Sequence, residues 1–218
     1  MDQNTHIVQA YDAAAEIYHE LVKRSRYFSP DWIAKHVQDL EALPEFRVLD
    51  VGCGPGLNIE ALYGHRTGFR ADGVDISPKM LERARRTGRY QQLYTHDLHS
   101  EMPELLSDTY DLIIVFGCLE LLGNVDVCLS ECHRVLKANG TLWASFKRFE
   151  AEDPASPPRY VTLGEGGKFH QIGYSAGEIL NMMSTLNMRV DCFEAVVAYI
   201  TPAGFGCPYY VLSAHKIK

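Results

Sequence analysis

From residue 46 onward, five short apolar runs alternate with segments of helical period: RVLDVG (47–52), ADGVDIS (71–77), YQQLYTHDL (90–98), YDLIIVFG (110–117) and GTLWASFK (140–147). Each run reads as a strand by its β-branched and aromatic content and its flanking turn residues. Helices are predicted between them at Gly56 to Tyr63, Pro78 to Arg86, a short one near Pro103 to Leu106, and Val125 to Leu136. The last is followed by Lys137-Ala138-Asn139-Gly140, a basic turn leading into residues that tolerate left-handed geometry. The fourth run, with IIVF apolar on both faces, calls for a parallel sheet covered by helices on each side.

Upstream, Ile7, Ala10, Ala14, Ile17, Tyr18 and Leu21 recur at steps of three and four, predicting one amphipathic helix over residues 5 to 24. A second helix is expected from Ser29, as cap, with Pro30 in its first turn, to about Leu43, where Pro44 stops it. Downstream of Lys147 comes a loop rich in Pro and Gly, whose length from Glu150 to Gly167 suits a lid or binding loop. A helix over Ser175 to Leu186 and strand-like runs at Arg189 to Ile200 and Tyr209 to Ile217 follow. The expected fold is α/β, doubly wound: a mostly parallel, seven-stranded sheet closed by a C-terminal antiparallel strand pair. One domain over 1–218 accommodates this, with residues 1–44 as covering helices, 45–148 as the ligand-binding core and 149–218 as substrate-side loop and closing strands.

Composition narrows the partners. The 218 residues are 46% hydrophobic and 22% charged, with a net charge of -7. That is ordinary for a globular chain, and without a run of Lys or Arg it argues against nucleic acid. The most basic stretch, Arg83 to Arg89, closes a predicted helix, where cations complement the dipole. No stretch of 18 uncharged apolar residues and no signal peptide is visible, so neither a membrane span nor export is expected. Six scattered cysteines suit a reducing compartment, the cytoplasm. Cys128, Cys132 and His133 share one helix without the further ligands zinc requires, and no metal is expected. Monomer and homodimer both remain open.

The chemistry begins in VLDVGCGPG (48–56). Gly52, Gly54 and Gly56 end the first strand and open a helix, where a tight turn and close backbone approach to a ligand are needed. The dinucleotide fingerprint wants Gly or Ala at 57, and Leu57 stands there. Asp50 beside the loop repels a phosphate but suits the ammonium of an amino-acid tail, or it caps the turn. Nineteen positions after Gly56, Asp75 ends the second strand, where a carboxylate can accept both ribose hydroxyls. Asp97 ends the third, placed to read an adenine amino group.

With VLDVGCGPG, GVDISPKML, HDL and YDLIIVFGCLELL, residues 10 to 150 resemble a class I S-adenosylmethionine-dependent methyltransferase. The closest likeness is to its small, metal-independent enzymes acting on small molecules, which begin with a YDxxAxxY helix, here Tyr11 to Tyr18. The resemblance implies that Gly52, Cys53, Gly54 and Gly56 wrap the amino-acid end of S-adenosylmethionine and that Asp75 holds its ribose. Ile76 and Met80 would pack on adenine, Asp97 and Leu98 flank its edge, and Tyr11 and Tyr18 form part of a lid. Phe116 and Gly117 stand where the methyl meets its acceptor, without the Asn-Pro-Pro-Tyr type motif of amide and adenine methyltransferases and without an Asp to hold Mg²⁺. Methyl transfer needs alignment and exclusion of water, so a base is optional; the candidates are His170, Tyr174 and Glu120.

Tyr27, Phe28, Trp32, Phe149, Phe169 and Tyr199 are candidate acceptor-pocket aromatics. Two alternatives to small-molecule methyl transfer to O, N or S stand beside it. One is a protein of this fold that binds the cofactor without transferring methyl, as a pericyclase-like catalyst or a regulatory subunit; the other is a protein methyltransferase.

Overall fold

The computed structural model describes residues 3–40, 45–153, 156, 159–163 and 169–217. Five parallel strands form one half of the sheet: β1 (Phe46–Val51), β2 (Phe69–Asp75), β3 (Tyr90–Thr95), β4 (Tyr110–Val115) and β5 (Leu136–Lys147). β8 (Met188–Ile200) and β9 (Gly206–Lys216) complete it in the order β3-β2-β1-β4-β5-β9-β8, with β9 antiparallel to both β5 and β8. Doubly wound α/β with a closing antiparallel pair is therefore the architecture. The helices are α1 (Gln3–Ala14), α2 (Tyr18–Ser25), α3 (Ser29–His36), α4 (Leu57–Tyr63), α5 (Pro78–Arg86), α6 (Asp126–Val135) and α7 (Ala176–Thr185). Among the described residues, a separate antiparallel ribbon of β6 (Tyr160–Leu163) and β7 (Phe169–Ile172) stands in part of the segment expected to be loop. The remainder of the expected lid loop lies largely outside the described residues.

Successive buried side chains of the central strands alternate between two cores. Leu49 and Val51 of β1 join Ile113 and Val115 of β4 in the core on one face, while Phe46 and Val48 join Leu112 and Ile114 on the other. Several expectations are corrected. The first helix is broken at residues 15–17, because α2 turns to pack against β8; Ala15 is buried there, and Ile17 and Leu21 of the expected apolar face stay exposed. α3 ends at His36 in a short 3-10 turn, Val37–Asp39. Residues 103–106 form turns, and the segment after α6 enters β5 directly, with Asn139 left-handed at φ 63° in the irregular stretch.

Ser29 does not cap α3. Phe28 occupies the cap position, and the buried Ser29 hydroxyl donates to Asn58 Oδ1 at 2.9 Å. Asn58 Nδ2 in turn donates to Asp50 Oδ1 at 3.0 Å, and Tyr90 OH donates to Asp50 Oδ2 at 2.8 Å. One buried carboxylate thus joins α3, α4, β1 and β3 beneath the glycine-rich turn. Removal from water raises its pKa to about 7, against the lowering effect of these two hydrogen bonds.

Folded Asp50 therefore holds its proton up to about pH 7, whereas the unfolded chain releases it near the ordinary aspartate value of 3.8. Since the native state binds more protons between those values, this contribution is full below about pH 4 and is lost as pH rises through 7. Asp50→Asn, uncharged at every pH, is expected to flatten the fall in unfolding free energy between pH 5 and 8, measured by urea denaturation. Parallel profiles for the two proteins would refute the buried-acid reading.

Candidate active site

A cleft enclosing about 970 Å³, including its mouth to solvent, opens at the carboxyl ends of β1, β2 and β4. Ligands bind at this end of a doubly wound sheet, because the loops that follow the strands diverge there. Gly52, Cys53 and Gly54 from the β1 turn, Asp75 and Ile76 from β2, Asp97 and Leu98 after β3, and Phe116, Gly117 and Glu120 after β4 line it; Tyr11 and Tyr18 close it from above.

The three glycines serve three different ends. A Cβ on Gly52 would lie 2.8 Å from Cys118 Cβ, and one on Gly56 would lie 3.1 Å from the Tyr90 ring that reaches Asp50. Gly56 therefore faces the buried network and does not line the cleft. At Gly54, φ is +51° and a Cβ would meet nothing within 4 Å, so the open cleft lies beside it. Gly54 is where the turn's backbone lies open to the cleft.

Asp75 is fixed in orientation. Its Oδ2 accepts from Gly54 N–H and its Oδ1 from Ser77 N–H, both at 2.8 Å, so the carboxylate is oriented while each oxygen keeps a free lone pair. Burial raises its pKa, against the lowering effect of these backbone donors. Asp97 is engaged differently: Oδ2 accepts from Asn4 Nδ2 at 2.6 Å, and Oδ1 takes the backbone N–H and side chain of His99.

Asn4 belongs to α1, which is held over the cleft at both ends. Gln3 donates to Leu121 O at 3.0 Å, while Asp12 Oδ1 accepts from Ser77 Oγ at 2.5 Å and Lys79 N at 3.2 Å. Ser77 Oγ itself accepts from Met80 N and caps α5. The YDxxAxxY segment thus works in two directions: Tyr11 and Tyr18, with ring centroids 6.1 Å apart, face the cleft, and Asp12 ties the helix to the core.

Several sequence-predicted residues stand elsewhere. Asp50 is fully buried beneath the cleft and reaches it only through Asn58, which lines it. Met80, on the buried face of α5, does not line the cleft. Of the proposed bases, His170 is exposed on β7 and Tyr174 is buried against Phe146; neither lines the cleft. Among the aromatic candidates whose side chains are described, only Tyr27 lines it. Phe28 and Trp32 pack against Phe116, Tyr199 against Tyr209, and Phe149 sits under the Arg159 guanidinium; the Phe169 side chain lies outside the described residues.

Glu120 is the remaining candidate. It is 4% exposed, and its Oε1 accepts from Tyr209 OH at 2.8 Å, while Oε2 has no hydrogen-bond partner among the described residues. Burial raises its pKa, and the Tyr209 hydrogen bond and the nearby Lys147 oppose the rise. Burial likewise lifts the Tyr11 and Tyr27 phenols well above their ordinary value, and Tyr18 to about 12.

The lining carries Asp75, Asp97 and Glu120 and, among the described residues, no Lys or Arg. A pyrophosphate finds no counter-charge in such a cleft, whereas a sulfonium with an ammonium tail is suited to it. With the ribose-type acid at Asp75 and open space beside Gly54, the residues present fit S-adenosylmethionine.

The fold and the cleft together define a doubly wound α/β protein with an acid-lined cleft at the carboxyl ends of its strands. Residues 49–144 match the methyltransferase domain family. Over 96 residues the chain is 36% identical to demethylmenaquinone methyltransferase of Tropheryma whipplei (strain Twist), a match spanning 44% of this chain and 39% of that protein. Over 118 residues it is 33% identical to ubiquinone biosynthesis O-methyltransferase of Histophilus somni (strain 2336), spanning 50% of this chain and 48% of that one. The chain therefore spans less than half the length of either curated relative it matches. Its fold aligns with the crystal structure of Burkholderia thailandensis 1,6-didemethyltoxoflavin-N1-methyltransferase with bound 1,6-didemethyltoxoflavin and S-adenosylhomocysteine. The TM-score is 0.71 at 16% identity, covering 99% of this chain and 87% of that one, a likeness of fold alone. Over residues 49–144 the chain is thus similar to methyltransferases.

Two variants separate ligand contact from folding. Asp75→Ala is expected to weaken S-adenosylhomocysteine binding tenfold or more by calorimetry, about 1.4 kcal/mol. Gly54→Ala is expected to lose binding as well while its melting temperature falls only slightly, since its Cβ meets no protein atom and only the φ of +51° resists it. Unchanged affinity in both would refute the assigned binding mode.

Proposed function

We propose that this protein transfers a methyl group from S-adenosylmethionine to an O, N or S nucleophile of a small, partly apolar molecule, without a metal. The single observation that carries this reading is the lining of one cleft by Gly54, Asp75 and the buried Glu120, which brings donor-binding groups and a carboxylate together. When bound, S-adenosylmethionine supplies an electrophilic methyl on a sulfonium, and the reaction is an in-line displacement.

The chain's own residues supply alignment and dryness. Gly54 N–H orients Asp75, whose remaining lone pairs accept the ribose hydroxyls. α1, anchored through Asn4 and Asp12, and the rings of Tyr11, Tyr18 and Tyr27 exclude water from the reacting centre. Glu120 Oε2 accepts a hydrogen bond from the acceptor and takes its proton as the new bond forms, while Tyr209 holds the other oxygen in place.

Metal-free transfer is favoured by the residues that follow β4, Phe116, Gly117 and Cys118, which offer none of the oxygen ligands that hard cations take. A cleft roofed by α1 favours a small acceptor over a folded protein. The two quinone methyltransferases among the relatives are consistent with a partly apolar acceptor, and the free thiols are consistent with a reducing, cytoplasmic setting. Among the described residues, no helix is long and apolar enough to cross a membrane.

The test is S-adenosylhomocysteine release across a panel of small phenols, amines and thiols, with a turnover-competent acceptor expected. With that acceptor, Glu120→Gln is expected to lower kcat by about a hundredfold and to abolish the acidic limb of the kcat profile. In the unaltered protein that limb should lie above the ordinary carboxylate range, because burial raises the Glu120 pKa. Tight cofactor binding with no turnover on any acceptor would overturn methyl transfer; an unaltered profile in Glu120→Gln would overturn the assigned base.

A further inference from the structure

Away from the cleft, the end of α3 meets the edge strand β8 through a group of side chains that the methyl-transfer reading does not use. His36 closes α3, and Cys192 and Glu194 stand two apart on β8, a spacing that puts both side chains on one face of the strand. One ligand atom from each of the three lies within 4.8 Å of the others.

The histidine is prepared for a ligand. It is 8% exposed and stacked on Trp32 with ring centroids 4.1 Å apart, so the ring cannot swing freely. Its Nδ1 sits 3.3 Å from Asp39 Oδ2, while Nε2 is buried without a hydrogen-bond partner among the described residues and lies 3.8 Å from Glu194 Oε1. A carboxylate on one ring nitrogen and an unpartnered second nitrogen facing a thiol and a carboxylate is the arrangement that orients histidines on zinc.

We propose that His36 Nε2, Cys192 Sγ and Glu194 Oε1 form a site for a single divalent transition-metal ion of the zinc class, which clips α3 to β8. Zinc bonds of about 2.0 to 2.3 Å place tetrahedral ligand atoms roughly 3.3 to 3.8 Å apart, so closure requires a contraction of about 1 Å or a little more. Side-chain rotation at the half-buried Cys192 and Glu194 provides it. Water takes the fourth position, as at sites with three protein ligands.

Binding exchanges partners in a defined way. The Cys192 thiol now interacts with Glu194; it loses its proton to solvent and binds as thiolate. Lys35 Nζ, now 2.5 Å from Glu194 Oε1, is displaced into water, where it is already mostly exposed. Lys35 is thus an internal competitor for the third ligand. The ion would brace α3 against the edge strand β8, and Trp32 of the same helix packs against Phe116.

The full chain, freed of metal by chelator, is titrated with Co²⁺ alone and then back-titrated with Zn²⁺. One equivalent of cobalt is expected to give a thiolate-to-metal charge-transfer absorption that zinc abolishes. Cys192→Ser should remove this band with S-adenosylhomocysteine affinity unchanged, and His36→Gln should weaken cobalt binding tenfold or more. Lys35→Met, which frees Glu194, should tighten it. Absence of the band, its survival in Cys192→Ser, or weaker binding in Lys35→Met would each overturn the site. None of these readouts depends on methyl transfer.

Discussion

The fully buried carboxylate of Asp50 is the constraint on which the functional end of the molecule depends. A carboxyl group cannot remain there without partners, and Asn58 and Tyr90 are those partners. Asn58 fixes the first turn of α4, and through Ser29 it reaches α3. Tyr90 has to pass under the turn that follows β1, and there a side chain at 56 or 73 would strike its ring: a Cβ on Gly73 would lie 2.9 Å from it. The glycines of the turn are therefore set partly by the core beneath it and only partly by the ligand above it.

From that floor the cleft is built upward. Asp75 is held by the N–H of Gly54, so the position of the β1 turn and the orientation of the ribose-type acid are one and the same fact. The roof is built by the same device in reverse: Asp12 on α1 accepts from Ser77 and Lys79 at the start of α5, and Asn4 donates to Asp97. Acidic side chains thus hold the floor, the ligand wall and the lid, and they give the lining a charge that suits a cation and disfavours a phosphate.

The parts of this plan that depend on local pattern were legible in the sequence. The alternating strand and helix periods and the offset from Gly56 to Asp75 follow from backbone geometry alone, whereas Asn139 and Gly140 stop no helix and lie within β5. What depended on docking was not. Nothing in the periodicity of residues 5 to 24 says that the chain turns at residues 15–17 to meet β8. Asp12 was visible in its motif, but its partner lies 65 residues away. Of the three candidate bases, Glu120 alone follows a parallel strand of the central sheet; chemistry and chain position alone point to His170 and Tyr174, and the fold carries them to a ribbon and a core face. Phe28, Trp32 and Tyr199 go to packed faces for the same reason, since a large ring is stabilised as well by the core as by a ligand wall, while Tyr27 lines the cleft.

A cleft lined by acidic side chains, with no Lys or Arg among the described residues, is expected to take a sulfonium nucleoside in preference to a pyrophosphate dinucleotide. Calorimetric titration of the intact protein with S-adenosylmethionine and, separately, with a nicotinamide dinucleotide measures this directly. One-to-one binding of S-adenosylmethionine with no measurable heat from the dinucleotide is the expected result. Dinucleotide binding of equal or greater affinity would contradict the charge argument and the identity of the donor together.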